Sequence, residues 1–278
     1  MRSVASLHQA DNKPIVVRRM GLSFEDLPRY WFGGDPVRTH LVNGLHFVFP
    51  AGERFFIRAV RHYEAELPGE LEARVRAFYG QEAHHQAEHL RAFAAIEAQG
   101  YEIRSFLDWY EQVAYEAIEQ RVPPHIRLAT TVALEHFTAI LGELVLDSEL
   151  LADAAPIMQQ LLLWHAAEEI EHKSVTFDVL QHVDPRYSTR LVGFLIATLT
   201  LFYFWGVGFR HMMRQEAALP PEPVDEASAA GARRALLRDL SRLPRRVVDF
   251  FRPSFHPDDH DTYHLASAYL SSIGRLAA

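Results

Sequence analysis

Three ionisable side chains in one short stretch, Trp164-His165-Ala166-Ala167-Glu168-Glu169-Ile170-Glu171-His172, are spaced for joint chemistry. At about 100° per helical residue, His165, Glu169 and His172 fall on one narrow face. Met158, Leu161, Thr176 and Val179 extend the same stripe in both directions, so it faces a core. Unpaired charge there would cost several kcal/mol or more. Two imidazoles and one carboxylate on one face suit a metal ion better than any other partner.

Stepping outward, other apolar stripes are interrupted in the same way. A helix starting at Asp35-Pro36, with Asp as cap and Pro in the first turn, is expected to kink or restart at Pro50 and run to about Leu67. Glu53 lies within its apolar face. A second helix opens at Pro68-Gly69 and stops at Gly100, with the seam Val75, Phe78, Glu82, His85, His89, Phe93, Ile96. Residues 102–120 read as a separate amphipathic helix in a long crossover. A third long helix starts at Pro123-Pro124, runs to about Leu150 and carries Glu135 in mid-seam. The fourth opens near Asp153 and Pro156 and ends before Pro185. Nothing from 36 to 184 reads as a strand, so the fold class is all-α with four long helices as its frame.

One Glu-x-x-His is expected roughly once by chance in a chain this rich in both residues. Two of them in mid-seam, Glu82-x-x-His85 and Glu169-x-x-His172, with seam-centred Glu53 and Glu135, are far more specific. One carboxylate from each of two helices and a Glu-x-x-His from each of the other two is the two-metal pattern of ferritin-like four-helix bundles, and the gap from Glu82 to Glu135 matches their long crossover. Four carboxylates largely neutralise two divalent ions, and one imidazole each leaves an open face. The competing reading is a set of solvated or mutually paired helix faces; the apolar neighbours at i±3 and i±4 argue against it.

Residues 40–182 resemble the ferritin-like superfamily of non-haem di-metal carboxylate proteins. Asn43-Gly44-Leu45-His46, Pro50-Ala51-Gly52-Glu53-Arg54-Phe55-Phe56, Glu82-Ala83-His84-His85 and Trp164-His165-x3-Glu169-x2-His172 resemble a bacterial family catalogued as predicted metal-dependent hydrolases. The His-x3-Glu-x2-His triplet is also similar to p-aminobenzoate N-oxygenase-type di-iron enzymes, in which an additional His joins the ligands. Carried over, that set is Glu53, Glu82, His85, Glu135, His165, Glu169 and His172, holding two Fe ions, or Mn or a mixed Fe/Mn pair. His89 is read as holding a carboxylate, with eighth-ligand status open. His84, His136 and Tyr79 are read as structural, Glu168 and Glu171 as a solvated or salt-bridged flank, and His46 as a site residue only if its helix continues through Pro50.

The rest of the chain adds appendages: an arm at 1–34, an apolar fifth helix in 185–218, and a linker with basic amphipathic extension over 219–278. Residues 191–209 hold no charge over nineteen positions, just enough to cross a bilayer core of about 30 Å. The favoured reading is a fifth helix that covers the bundle or forms a homodimer contact; attachment to a membrane surface together with the Arg-rich 232–252 segment comes next, and a true span last. Asp261 is expected to cap a last helix ending near Arg275.

Composition limits function further. With no cysteine there is no disulfide, thiolate metal site or Cys nucleophile. The net charge of −8 argues against nucleic-acid binding. No basic-then-apolar leader opens the chain, so a cytoplasmic protein, with membrane association open, is expected. The favoured function is a di-iron oxidase or oxygenase that uses O2 and an unidentified electron donor on a small organic substrate. The alternatives are a metal-dependent hydrolase, and a non-catalytic iron-binding or membrane-associated bundle.

Overall fold

The computed structural model describes residues 15–275 and is all-α; among the described residues the extended structure is an isolated bridge between Phe32 and Ala154. Asp35 caps α1 (Pro36–His46), accepting from the Val37 amide at 3.0 Å. The chain breaks at Phe47-Val48 and restarts as α2 (Phe49–Arg61), with Pro50 in the first turn, where its missing N–H costs nothing. Then α3 (Gly69–Ala98) ends before Gly100, whose φ of 98° is open to glycine. Next come α4 (Arg104–Glu111), α5 (Pro124–Leu146), α6 (Pro156–His172) and α7 (Val175–Val183). The C-terminal part holds α8 (Tyr187–Glu216), α9 (Glu226–Leu240), α10 (Leu243–Asp249) and α11 (Tyr263–Ser272).

Several boundaries differ from the sequence expectation. The first long segment stops at Arg61, not Leu67, and closes in a 3₁₀ turn at Glu64–Glu66. The 102–120 helix changes character: α4 passes into a π-helical stretch, Gln112–Ile118, then a 3₁₀ turn, Glu119–Arg121. The third long helix ends at Leu146. Asp153 does not cap α6, because its carboxylate is taken by Arg38 at 2.6 and 2.7 Å; Ala155 holds the cap position. The fourth segment breaks at Lys173-Ser174, where Lys173 reaches the Thr262 hydroxyl and Ser174 accepts from Arg74. Thr262, rather than Asp261, stands before α11, and the linker ends early because Asp225 caps α9.

Four helices make the frame. α2 packs on α3 and α5, and α6 packs on the same two, which closes a ring with the site at its centre. α8 lies against α5 and α1. A side chain at Gly193 would put its Cβ 2.3 Å from the Ala129 backbone, and one at Gly44 would come within 2.6 Å of the Phe209 backbone, so α8 sits closer than ordinary residues allow. Trp205 Nε1 donates to the Leu41 carbonyl at 2.7 Å and pins the same contact. Of the expected arm, 1–14 lie outside the described residues; in 15–34, Leu22, Phe24, Leu27, Trp31 and Phe32 are buried in the core.

Candidate metal centre

α2 contributes Glu53, α3 contributes Glu82 and His85, α5 contributes Glu135, and α6 contributes His165, Glu169 and His172. All seven are buried, and they converge. Three overlapping groups have ligand atoms within 4.8 Å of one another: Glu53 with His85 and His165; Glu82 with His85 and Glu169; Glu82 with Glu135 and His172. His172 Nε2 lies 3.2 Å from Glu82, 3.4 Å from Glu135 and 3.5 Å from Glu169. His85 Nδ1 lies 3.9 Å from Glu82 and 3.8 Å from Glu169. His165 Nε2 is 2.8 Å from Glu169 and 4.0 Å from Glu53. Glu82 and Glu169 thus stand between two donor groups.

The decisive local fact is unmet bonding capacity. Both oxygens of Glu53, Glu82 and Glu135, together with His85 Nδ1 and His172 Nε2, are buried with no hydrogen-bond partner. Buried polar atoms in native proteins nearly always have one. Here the orphans all point into the same space, and oxygen and imidazole nitrogen are the donors divalent transition metals take. The residues therefore fit a two-metal site.

Protonation follows the same crowding. Burial, reinforced by neighbouring carboxylates, holds Glu53 and Glu82 well above the ordinary carboxylate range. Burial likewise pushes Glu135 up to about 7. Burial also opposes charge on Glu169, but His172 and His165 outweigh it and keep that carboxylate ionised. His172 is the mirror image: burial works against its cation, yet Glu169 and Glu135 raise it. Burial and adjacent imidazoles hold His85 and His89 neutral. A positive charge among these carboxylates is what the arrangement demands, and without metal His172 supplies part of it.

A second layer orients the donors. Glu168 faces His85 Nε2 at 3.1 Å, and Gln81 Oε1 faces His172 Nδ1 at 2.9 Å, which turns the opposite nitrogens to the centre. One arginine anchors both partners: Arg18 donates to Glu168 at 2.9 Å and to Glu171 at 2.6 and 2.8 Å, and Glu171 accepts from Gln81 at 2.7 Å. Glu168 and Glu171 are thus salt-bridged but buried, which corrects the solvated half of the sequence reading. Thr138 Oγ1 donates to Glu169.

His89 stands behind His165, its Nε2 2.7 Å from His165 Nδ1 and 3.6 Å from Glu53; its Nδ1 meets His46 Nε2. His46 reaches this row although its helix breaks before Pro50, against the sequence condition, because α1 and α2 are joined only by a short bend. His136 packs against Phe250 and Phe255, as a structural residue should. Arg18 had no sequence signal, lying on an arm without periodicity; the adjacent Glu168 and Glu171 called for a cation without saying which.

The centre opens toward an apolar cavity of about 100 Å³ between α2, α5, α8 and the π-helical stretch. A single water needs only about 10–15 Å³. Glu53, His165 and Glu169 lie at its deep end with Thr138 beside them; Phe55, Phe56, Leu134 and Phe137 form much of the wall, and half-exposed Ile118 marks the outer end.

Comparison with curated proteins and with solved structures gives no match. A family comparison does: residues 16–261 match the family described as "Predicted metal-dependent hydrolase". That span takes in Arg18, all seven converging donors and the cavity wall, and the chain belongs to this family.

Proposed function

We propose that the protein is a two-metal enzyme acting on a small organic substrate with a sizeable apolar part, and that the reaction is hydrolysis. The convergence of unpartnered Glu and His donors at the inner end of an apolar cavity carries the proposal. The family match supports hydrolysis over the oxidase reading favoured by the sequence. Glu53, Glu82, His85, Glu135, His165, Glu169 and His172 would hold the ions in the centre of a ferritin-like bundle. Two bound divalent ions would supply Lewis acidity and lower the pKa of water.

The chain's own residues do the rest. The Phe-rich wall binds the apolar part of the substrate and leaves its polar end at Glu53, His165 and Glu169. Water adds OH to the electrophilic carbon, and the leaving group departs with a proton. His89 against Nδ1 holds the His165 ring so that Nε2 faces Glu169 and the cavity, and His46 in turn backs His89. Thr138 steadies Glu169.

One observation favours a second reading. His165 adds a third imidazole to a donor set already complete without it, and the cavity beside it is almost wholly apolar. Both suit O2 chemistry with Fe and an external two-electron donor, in a cytoplasmic or membrane-associated protein. The test is a panel of p-nitrophenyl esters of graded chain length, run on Fe-, Mn- and Zn-loaded protein with and without oxygen. Metal-dependent turnover undiminished without oxygen supports hydrolysis. Oxygen uptake by the reduced Fe protein, with ester turnover absent, transfers the case to the oxidase.

A further inference from the structure

Helix α8 carries two adjacent apolar stripes with different surroundings. Ile196, Thr200, Leu201 and Phe204 line the cavity. Val192, Leu195, Leu199, Phe202 and Tyr203, about one helical step away, face solvent, Leu195 and Leu199 at 59% and 63% exposure. From Val192 to Gly206 this outer stripe runs about 21 Å without a charge. At one end, exposed Arg210 and Arg214 continue the same line. At the other, Tyr187 donates to the Phe251 carbonyl at 2.6 Å and Phe194 stacks edge-on to Phe251, so exposed Phe251 and Val248 lengthen the patch toward exposed Arg245.

We propose that this face docks on an anionic lipid surface, and that the cavity beneath it takes a single-chain amphiphile, such as a fatty acyl compound, from that surface. The substrate half rests on the two-metal reading above; the docking half does not. The close seating of α8 on α5 and α1 keeps the helix on the bundle, so it lies along the surface rather than crossing it. Charge complementarity selects the partner. Antiparallel pairing of two copies would bring Arg210 and Arg214 against Arg245 of the other copy, and parallel pairing would bring like residues together. Anionic headgroups meet both basic ends. The same helix is then both the contact with lipid and one wall of the cavity, which gives an acyl chain a short apolar path.

The test uses full-length, metal-loaded protein and vesicles of phosphatidylcholine with or without phosphatidylglycerol. Flotation should show at least tenfold tighter binding to the anionic vesicles. Leu195→Glu with Leu199→Glu should abolish it, with metal content and helical signal unchanged; Leu195→Gln with Leu199→Gln repeats the test without added charge. Arg210→Glu with Arg214→Glu should remove the anionic preference. Binding no stronger than to neutral vesicles, or undiminished in the Leu variants, overturns docking. So does a dimer that the Leu variants convert to monomer without any vesicle binding, since it assigns the face to a second copy. Parinaric acid reads the cavity separately: it should bind saturably and be excluded by Ala114→Trp, a variant that still floats with vesicles. Absence of saturable binding, or binding unaffected by Ala114→Trp, overturns the substrate half. Metal counts on the same samples show whether any failure lies in the two-metal reading instead.

Discussion

The two sides of the metal centre are built on opposite principles. Behind the donors, toward α3 and the N-terminal arm, buried polar groups are wired together: Arg18 to Glu168 and Glu171, Glu168 to His85, and Glu171 through Gln81 to His172. In front, toward α2, α5 and α8, Glu53, His165 and Glu169 meet a cavity whose exposed surface is mostly apolar. The wired side fixes where the donor atoms point. The apolar side leaves room for a substrate and keeps the local dielectric low, where electrostatic interactions are strongest. Changes behind the centre should therefore act on metal affinity and fold, and changes in front on turnover.

The largest effect is expected from a residue common to two of the three donor groups. Glu82→Ala removes a donor shared between Glu169 and Glu135, so bound metal should drop from two ions per chain to one or none, with loss of turnover; elemental analysis checks it. Arg18→Met comes next. It leaves Glu168 and Glu171 buried without their cation, at a cost of roughly 3–5 kcal/mol in thermal stability. Loss of such outer support also weakens metal binding by about 10–100-fold, measurable by chelator competition. If Arg18→Met instead changes turnover at unaltered metal affinity, the division between the two sides fails.

Metal removal should expose the carboxylate crowding as pH dependence. An unfolded Glu titrates near 4.5, whereas folded Glu135 holds its proton to about 7, and Glu53 and Glu82 are also raised. The folded state then binds more protons, so this contribution is complete below about 4.5 and falls as pH rises through 7. It amounts to roughly 3 kcal/mol for Glu135 alone. His172, raised above 6.5, acts in the same direction, its contribution being lost as pH passes its folded value. Glu169 opposes them, since its depressed value favours folding above 4.5. Apo protein should melt lower at pH 8 than at pH 5, and the gap to the metal-loaded form should widen across that range in calorimetry. The smallest effect is expected from Thr138→Val, which removes one hydrogen bond to Glu169, about 1.5–3 kcal/mol for a charged acceptor. It should lower turnover modestly while both ions remain bound.

Much of this centre was legible in the sequence because helical periodicity places residues on faces, and a buried face that carries Glu or His announces a partner. That logic singled out Glu53, Glu82, His85, Glu135, His165, Glu169 and His172, which the fold brings together. It could not find Arg18, which comes from a segment without periodicity some 150 positions before the glutamates it pairs with. The π-helical stretch at 112–118 was read as ordinary helix, since side-chain pattern does not report a change in backbone register. The break after His172 escaped for the same reason, and the fourth helix was expected to open near Asp153, whose pairing with Arg38 is tertiary. His46 was tied to an unbroken helix, yet the bend at Phe47-Val48 still brings it to His89.

The central claim is that the seven converging donors hold two ions. Anomalous diffraction from crystals soaked with Mn(II) or Fe(II) tests it most directly. The account predicts two peaks about 3–4 Å apart, one among Glu53, His85 and His165 and the other among Glu82, Glu135 and His172, with Glu82 and Glu169 within reach of both. A single peak, peaks only at surface carboxylates, or a centre in which His85 Nδ1 and His172 Nε2 remain metal-free would contradict it.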